Sequence, residues 1–110
     1  MLNQVVLVGR ITKSGEVKEL ENGKKFANMT LAIPRSFKNE NGEYDTDFVD
    51  IRIWDTIAEN TAEYVKKGDI VGVKGRLQTG TIEKYHTKMQ VLEVIAEKVT
   101  FLSSKGNSEE

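Results

Sequence analysis

The sequence predicts an all-β protein in which five strands form a closed barrel and one short α-helix lies between the third and fourth strands. Two patterns predict this fold. Apolar and polar residues alternate with a period of two through most of the 110 residues, as in half-buried strands. Only residues 56–67 place apolar side chains at helical spacing instead. A helical bundle or a doubly wound parallel sheet is therefore excluded, because either would need several helices.

Five segments carry the strand pattern. In the first, Val5–Val8 is apolar on both faces, so this strand needs cover on both sides. Asn22-Gly23 and Asn41-Gly42 predict hairpin turns, and the second of these turns lies in a polar stretch that we expect to project from the barrel. Pro34 is expected to end regular pairing or to mark an edge. The strands are predicted at residues 3–12, 27–33, 48–54, 71–78 and 89–102.

The predicted helix carries start and stop signals. Thr56 and Glu59 have the spacing of a capping box, in which a hydroxyl and a carboxylate satisfy free backbone N–H groups at the helix start. In Lys66–Gly68, the two basic side chains suit the negative end of the helix dipole. The glycine suits the left-handed residue that closes a helix. These signals predict one helix of about three turns.

This order of elements is that of the Greek-key OB-fold barrel, which has five strands and a helix between strands 3 and 4. A chain of 110 residues supports one domain. We predict an OB-fold domain over residues 1–102 and a short disordered tail over residues 103–110, which contains no apolar residue. Residues 82–88 are predicted to form a polar connection between the last two strands.

Composition excludes several classes of function. The longest apolar run, Val5–Val8, is far shorter than the roughly 20 residues of a membrane helix, and no signal peptide is visible. There is no cysteine, hence no disulfide, thiolate nucleophile or cysteine zinc site. One histidine, His86, cannot form a His-rich metal site, and no catalytic motif is present. We therefore expect a soluble cytoplasmic protein that is not an enzyme and uses no metal or cofactor.

The charge balance limits how the protein could bind nucleic acid. The chain has 16 basic and 17 acidic residues, for a net charge of −1. Proteins that bind phosphates through many contacts usually carry a net positive domain. A nucleic-acid site in this chain must therefore be a local patch or depend on something besides charge.

The third strand carries the strongest functional signal. If Val49, Ile51 and Ile53 fill the core, the pleat places the alternate residues on the opposite face. Those residues are Phe48, Asp50, Arg52 and Trp54. Large rings beside charged side chains are not typical of core packing. Single-stranded nucleic acid would suit them, because every base has a π-face that can stack on an aromatic ring. Arg52 could neutralise a phosphate or stack through its guanidinium plane.

Strand geometry alone leaves an alternative open. Phe48 and Trp54 could instead pack under a loop, in an oligomer interface or against a protein partner. The chain would then be a structural or protein-binding OB module rather than a nucleic-acid binder. Trp54 is the single tryptophan, so its fluorescence separates the two readings.

Other candidate binding residues lie outside the third strand. At the base of the projecting hairpin, basic and aromatic side chains interleave as a single strand would require. Basic residues elsewhere could contact phosphate, although exposed charge also serves simply to solubilise a surface. The further candidates are Arg35, Phe37, Lys38, Lys67, Lys74 and Arg76. The aromatic residues that we assign to core or strand-end packing are Phe26, Tyr64 and Phe101.

A family resemblance rests on motifs spread over residues 1–102. They are Asn3–Arg10, Asn22-Gly23, Leu31-Ala32, Thr46–Phe48, Trp54, Ala58-Glu59, Tyr64, Lys67-Gly68, and Val73–Leu77 with Thr79. In this order and spacing, the chain resembles the bacterial single-stranded DNA-binding protein family.

The resemblance implies an OB-fold protomer, usually in a homotetramer, that binds and protects single-stranded DNA with little sequence preference in replication, recombination or repair. It implies that bases stack on Phe37, Phe48 and Trp54, and that Val5–Val8 forms an interface between subunits. It also implies a cytoplasmic, nucleoid-associated location. A primosome or replication-restart accessory is a close variant of this function.

The chain departs from the family pattern at three places. Some positions that are basic in relatives are Asp50, Gly80 and Thr81 here, which should reduce the electrostatic share of binding. Ile82 stands where the family commonly has another stacking aromatic, and Tyr85 or His86 is the candidate replacement. Relatives usually end in a long tail with an acidic Pro-Phe tip, whereas this sequence ends at Asn107–Glu110. We therefore expect a short variant that does not recruit partners through such a tip.

Overall fold

A computed structural model describes residues 1–103. It contains six strands and one helix: β1 (Val5–Ser14), β2 (Lys18–Glu19), β3 (Lys25–Lys38), β4 (Tyr44–Trp54), α1 (Asp55–Tyr64), β5 (Ile70–Lys84) and β6 (Thr87–Ser103). The predicted fold class is confirmed: five long strands form the barrel, and the helix lies between the third and fourth of them. The predicted tail falls on residues 103–110, of which residues 104–110 lie outside the described residues.

The strands close into a barrel through one continuous order. That order is β1-β5-β6-β4-β3-β2, and an additional pairing between β1 and β3 completes the circle. β4 and β6 run parallel and pair at Ile51–Val94 and Arg52–Ile95. The other neighbouring pairs are antiparallel. This mixture is what a Greek-key connection produces, because α1 carries the chain across the end of the barrel between β4 and β5.

Alternating side chains from the strands fill the barrel. On β3 and β4 the inward residues are apolar, as the period-2 pattern predicts. Ala58 of α1 is fully buried and covers one end. Each large aliphatic side chain removed from water contributes about 1.5–3 kcal/mol, so these residues dominate the stability of the fold. The core consists of Ile11, Ala27, Met29, Leu31, Ile51, Ile53, Ala58, Val65, Val71, Val73 and Ala96.

The start of α1 differs from the predicted capping box. The helix begins at Asp55, and the N-cap residue Trp54 is extended with no side-chain hydrogen bond to the helix. Glu59, the predicted capping carboxylate, instead accepts a hydrogen bond from Lys25 Nζ at 2.7 Å. An ion pair with β3 therefore replaces the local contact that the Thr56–Glu59 spacing predicted.

The end of α1 comes three residues earlier than predicted. Val65 is extended, with φ −118°, and only 4% exposed, so burial of its side chain in the core draws the chain out of the helix. The basic pair Lys66-Lys67 therefore lies beyond the last helical turn. Gly68 has φ 98°, as the prediction requires, but its N–H donates to the Ile11 carbonyl at 2.8 Å. This glycine joins the chain to β1 rather than closing the helix.

Two hairpins extend beyond the barrel. The β3–β4 arm, residues 35–47, turns at Asn41-Gly42 as predicted, and Gly42 has φ 78°. Regular pairing of β3 with β4 becomes irregular between Pro34 and Lys38, which agrees with the role predicted for Pro34. Within residues 1–103, no helix is long and apolar enough to cross a membrane.

A second hairpin, the β5–β6 arm, spans residues 78–93. The polar connection that we predicted at residues 82–88 is wrong, because paired strands occupy this segment. Antiparallel pairing continues without interruption to Lys84–Thr87, and the turn is the pair Tyr85-His86. Both turn residues have positive φ, 53° and 64°. The sequence signal was missing because turns of this kind usually use Asn or Gly. At its other end β6 extends to Ser103, one residue into the predicted tail, where it pairs with Ile70.

Candidate nucleic-acid interface

Eight residues of β3 and β4 form a surface that we call the outer face. Because the neighbouring residues Ala27, Met29, Ile51 and Ile53 are buried, the pleat directs these side chains away from the core. They form four cross-strand pairs: Phe26–Trp54, Asn28–Arg52, Thr30–Asp50 and Ala32–Phe48. The predicted placement of Phe48, Asp50, Arg52 and Trp54 on one side of β4 agrees with this arrangement.

Phe48 is the most exposed ring of the outer face, with 66% of its surface accessible. Its cross-strand partner is Ala32, whose methyl group covers little of an aromatic ring. Trp54, at the other end of the outer face, is half-buried. An exposed aromatic ring beside polar neighbours offers a flat apolar surface to a ligand.

Phe26 belongs to this surface rather than to the core: of the two placements predicted for it, core or strand-end packing, the structure shows packing at the strand end. Its ring lies opposite Trp54, with the two centroids 5.6 Å apart and the ring planes inclined by 44°. The Arg52 guanidinium carbon lies 5.1 Å from the centroid of Phe26 and 5.8 Å from that of Trp54. The alternation of Phe26 with buried Ala27 was the signal that could have found it.

Polar contacts hold the middle of the outer face. Arg52 Nε donates to Asn28 Oδ1 at 3.3 Å and lies 3.9 Å from Glu93 Oε2 of β6. The Thr30 hydroxyl donates to Asp50 Oδ1 at 2.8 Å. Contacts with β3 and β6 therefore fix the position of the Arg52 side chain on β4. The Asp50 carboxylate on the same strand already accepts the hydrogen bond from Thr30.

Arg35 is engaged within the β3–β4 arm. Its Nη2 donates to Asp47 Oδ1 at 2.9 Å, and its Nη1 lies 3.8 Å from Asp45 Oδ2. The hydrogen bond from Arg35 lowers the pKa of Asp47 below its usual range, and the pKa of Arg35 is raised by the same contact. Asp47 precedes Phe48 on the strand, so this ion pair and the Phe48 ring lie on opposite sides of the arm.

The other predicted arm residues are exposed. Phe37 has 65% of its surface accessible. Lys38 Nζ lies 5.8 Å from the ring centroid of Tyr44, the residue opposite it in the hairpin. The tip of the β5–β6 arm has a similar contact, in which Lys84 Nζ lies 5.6 Å from the ring of Tyr85.

The predicted basic residues of β5 do not lie together. Arg76 and Trp54 line the same groove, about 650 Å³ in volume, between the start of α1 and strands β5 and β6. Arg76 also donates to Gln78 and lies 3.9 Å from Glu97. Lys74 instead pairs with Val6 and Lys98, so it belongs to a different surface. Lys67 is exposed between α1 and β5.

The surface that carries Lys74 also contains exposed aliphatic side chains. Val6 and Val8 of β1 have 69% and 53% of their surfaces accessible, whereas Val5 and Leu7 are half-buried and Leu7 packs on the core. Leu102 of β6 is also exposed, and both Leu102 and Val8 flank Gly72. We call Val6, Val8 and Leu102 the β1 patch. Tyr64 and Phe101 are exposed too, so their assignment to packing is wrong for this chain alone.

The closed five-stranded barrel with aromatic rings exposed along one strand pair defines an OB-fold protein. The model of the single-strand binding protein family matches residues 2–102. The chain belongs to this family.

Relatives cover the chain nearly from end to end. The single-stranded DNA-binding protein B of Bacillus subtilis is 45% identical over 106 residues, which are 96% of this chain and 94% of that protein. The single-stranded DNA-binding protein of Halalkalibacterium halodurans is 45% identical over 108 residues, which are 97% of this chain. This chain covers 64% of that second protein, less than two thirds of its length.

Solved structures share the fold. The Plasmodium falciparum SSB in complex with ssDNA has a TM-score of 0.80 at 28% identity, covering 94% of this chain and 96% of that one. A deletion mutant of the single-stranded DNA binding protein from Thermus aquaticus has a TM-score of 0.78 at 28% identity, covering 96% of this chain and 52% of that one.

Proposed function

We propose that this chain binds single-stranded DNA with little sequence preference by stacking bases on the aromatic rings of the outer face. The observation that carries this proposal is the exposed ring of Phe48, which shares a face with Arg52 and Trp54. Membership of the single-strand binding protein family supports it.

Stacking accounts for binding by a chain with a net charge of −1. Each base stacked on an aromatic ring contributes about 1–3 kcal/mol, independently of the net charge of the protein. Arg52 would supply a local positive charge to the phosphates beside the stacked bases. The strand would run along the outer face from Phe48 past Arg52 to Trp54.

Beyond Trp54, the strand would continue into the groove lined by Arg76. On the other side of Phe48, it would follow the β3–β4 arm towards Phe37 and Lys38. Contacts from Arg35, Lys67 and Lys74 remain predictions: Arg35 is paired with Asp47, and the other two lie off the outer face.

Titration with oligo-dT tests the proposal through the fluorescence of Trp54, the single tryptophan of the chain. Stacking on the outer face should strongly quench the emission, and oligo-dA should compete. Duplex DNA serves as the control and should quench little. Unchanged emission together with no binding of labelled oligo-dT would favour a protein-binding module. Repeating the titration with oligo-rU measures the preference between DNA and RNA.

We further propose that the chain forms a homo-oligomer, which we expect to be a tetramer, through the β1 patch. Val6 and Val8 expose apolar surface that a partner subunit would remove from water. Val6→Asp should lower the mass measured by sedimentation, whereas Leu20→Asp, at an exposed apolar residue near a turn, should not. A wild-type mass of one protomer at micromolar concentration would contradict the proposal.

The cellular role follows from these proposals. A sequence-tolerant single-strand binder without catalytic activity would protect exposed strands during replication, recombination or repair, in the cytoplasm at the nucleoid. Replication restart remains the variant role.

A further inference from the structure

Phe26 is the one aromatic ring of the outer face that neither the strand pattern of β4 nor the family resemblance singled out. We propose that Phe26 is a positioning residue for single-stranded DNA, which holds the Trp54 indole and the Arg52 guanidinium in the orientation that receives a base and its phosphate. This inference rests on the proposed function and adds a role for a residue of β3.

The geometry places Phe26 where it restrains both partners. It faces Trp54 directly across the β3–β4 pairing, and the 5.6 Å separation and 44° tilt are those of an interacting aromatic pair. A half-buried Trp54 held from one side by a second ring keeps its other surface available for a base. Without Phe26, the indole would be free to change rotamer.

The Arg52 guanidinium depends on the same ring. Its carbon lies 5.1 Å from the Phe26 centroid, closer than to Trp54, within the range of a cation–π contact. Phe26 and Arg52 are diagonal neighbours, because Arg52 pairs with Asn28, two residues along β3. The Phe26 ring therefore supports the Arg52 guanidinium, which belongs to the next cross-strand pair along the outer face.

The remaining contacts of Arg52 leave it free to meet a phosphate. Asn28 is neutral, and the Glu93 carboxylate lies 3.9 Å away, which is a loose ion pair. A phosphate could replace Glu93 while the ring of Phe26 still fixes the plane of the guanidinium. Cation–π contacts are compatible with a second, in-plane hydrogen-bonded partner.

The test compares Phe26→Leu, which keeps an apolar side chain but removes the ring, with Phe26→Tyr, which keeps the ring. Affinity for oligo-dT is measured by anisotropy of a labelled oligonucleotide, since the substitution itself changes the surroundings of Trp54. We expect Phe26→Leu to weaken binding about fivefold and Phe26→Tyr to stay within about twofold of wild type. Phe101→Leu, at an exposed ring away from the outer face, is the matched control and should also stay within about twofold.

Two further measurements separate positioning from a general structural effect. Losing the Arg52 contact should reduce the slope of log affinity against log salt by about one in Phe26→Leu, as in Arg52→Gln. In the Arg52→Gln background, Phe26→Leu should then cost less than it does alone. Equal losses in both backgrounds, or an unchanged salt slope, would overturn the proposal.

A measurement on the wild-type chain keeps the inference testable if Phe26→Leu fails to fold. On adding oligo-dT, NMR signals of the Phe26 ring and the Arg52 side chain should shift together with the Trp54 indole, while those of Phe101 stay in place. Shifts of Trp54 without Arg52 would overturn the inference. Absence of oligo-dT binding by the wild-type chain would instead refute the proposed function itself.

Discussion

The β3–β4 and β5–β6 arms extend from the same barrel but are held in different ways. The β3–β4 arm has irregular pairing above Pro34, an ion pair between Arg35 and Asp47, and a turn at Asn41-Gly42. The β5–β6 arm has continuous pairing from the barrel to its turn at Tyr85-His86.

The difference shows that the conformation of an arm can be fixed either by the residues of its turn or by the pairing of its strands. Gly42 adopts positive φ without strain, because it has no Cβ. Tyr85 and His86 adopt positive φ at a cost of about 1–2 kcal/mol each. The uninterrupted ladder of β5 and β6 offsets that cost. The β3–β4 arm carries the exposed rings of Phe37 and Tyr44 and leads to Phe48 of the outer face, whereas the β5–β6 arm carries exposed Ile82 and Tyr85.

The largest effect is expected at the base of the β5–β6 arm. A Cβ at Gly75 would overlap the backbone carbonyl of Ile95 at the bulge between β5 and β6. Gly75→Ala should destabilise the chain by about 3 kcal/mol, measured by urea unfolding. Gly80→Ala, on the same strand, is the control: its Cβ would meet Glu93 and Val91 at 3.4 and 3.6 Å, ordinary contact distances. We expect Gly80→Ala to be neutral or slightly more stable than wild type. If Gly75→Ala lost as little stability as Gly80→Ala, the bulge would be able to move and accommodate a Cβ.

The second effect compares the outer face, at the base of the β3–β4 arm, with the β5–β6 arm as binding surfaces. Phe48→Ala should weaken oligo-dT binding by about 10-fold to 100-fold, because it removes the ring on which we propose that a base stacks. Ile82→Ala removes an exposed aliphatic side chain of the β5–β6 arm, and we expect a loss below about threefold. Anisotropy of a labelled oligonucleotide measures both. A loss for Ile82→Ala as large as that for Phe48→Ala would mean that the β5–β6 arm contributes as much to DNA binding as the outer face does.

The third effect compares the two turns. His86→Gly should stabilise the chain by about 1 kcal/mol, because glycine adopts φ 64° without strain. Gly42→Ala should destabilise it by a similar amount, since alanine would be strained at φ 78°. Thermal unfolding of both variants measures the difference. We expect the changes in stability of the two variants to have opposite signs. A destabilised His86→Gly would show that the imidazole makes a contact that outweighs the strain.

The smallest effect concerns the ion pair of the β3–β4 arm. The Arg35 contact lowers the pKa of Asp47 from its usual 3.8. A lowered pKa in the folded state contributes stability above pH 3.8, and that contribution is lost as the pH falls through the folded-state value. Asp47→Asn should therefore melt slightly below wild type at neutral pH, and the two melting temperatures should converge in strong acid. Asp45→Asn, whose contact with Arg35 is longer, should show a smaller difference at neutral pH.

Strand patterning predicted the barrel because each inward residue contributes independently to the same core. Ile51 and Ile53 are both 1% exposed, and their burial alone requires Phe48 and Trp54 to face outward. Phe26 follows the same rule, since buried Ala27 comes next, but the pattern of β3 does not say which ring it packs against. The partner of a ring cannot be read from one strand, because cross-strand register decides it.

Local signals failed where distant contacts were stronger. Glu59 does not form the predicted capping box because it pairs with Lys25 of β3. The last predicted turn of α1 does not form because Val65 is buried in the core. The Tyr85-His86 turn had no glycine to reveal it, because its conformation is imposed by the strands on either side. In each case the deciding partner lies in another element, which a local pattern does not contain.

The parallel contact between β4 and β6 constrains the order in which the chain can fold. Within residues 1–103, these strands pair at Ile51–Val94 and Arg52–Ile95, so the barrel cannot close until β6 has been synthesised at least as far as Ile95. Such long-range pairing is also the slow part of folding. Until then β3 and β4 can pair with each other, but Met29 and Ile51 on their inner faces have no cover from β6. A nascent chain that stops before β6 would therefore expose its future core, the surface most prone to aggregation.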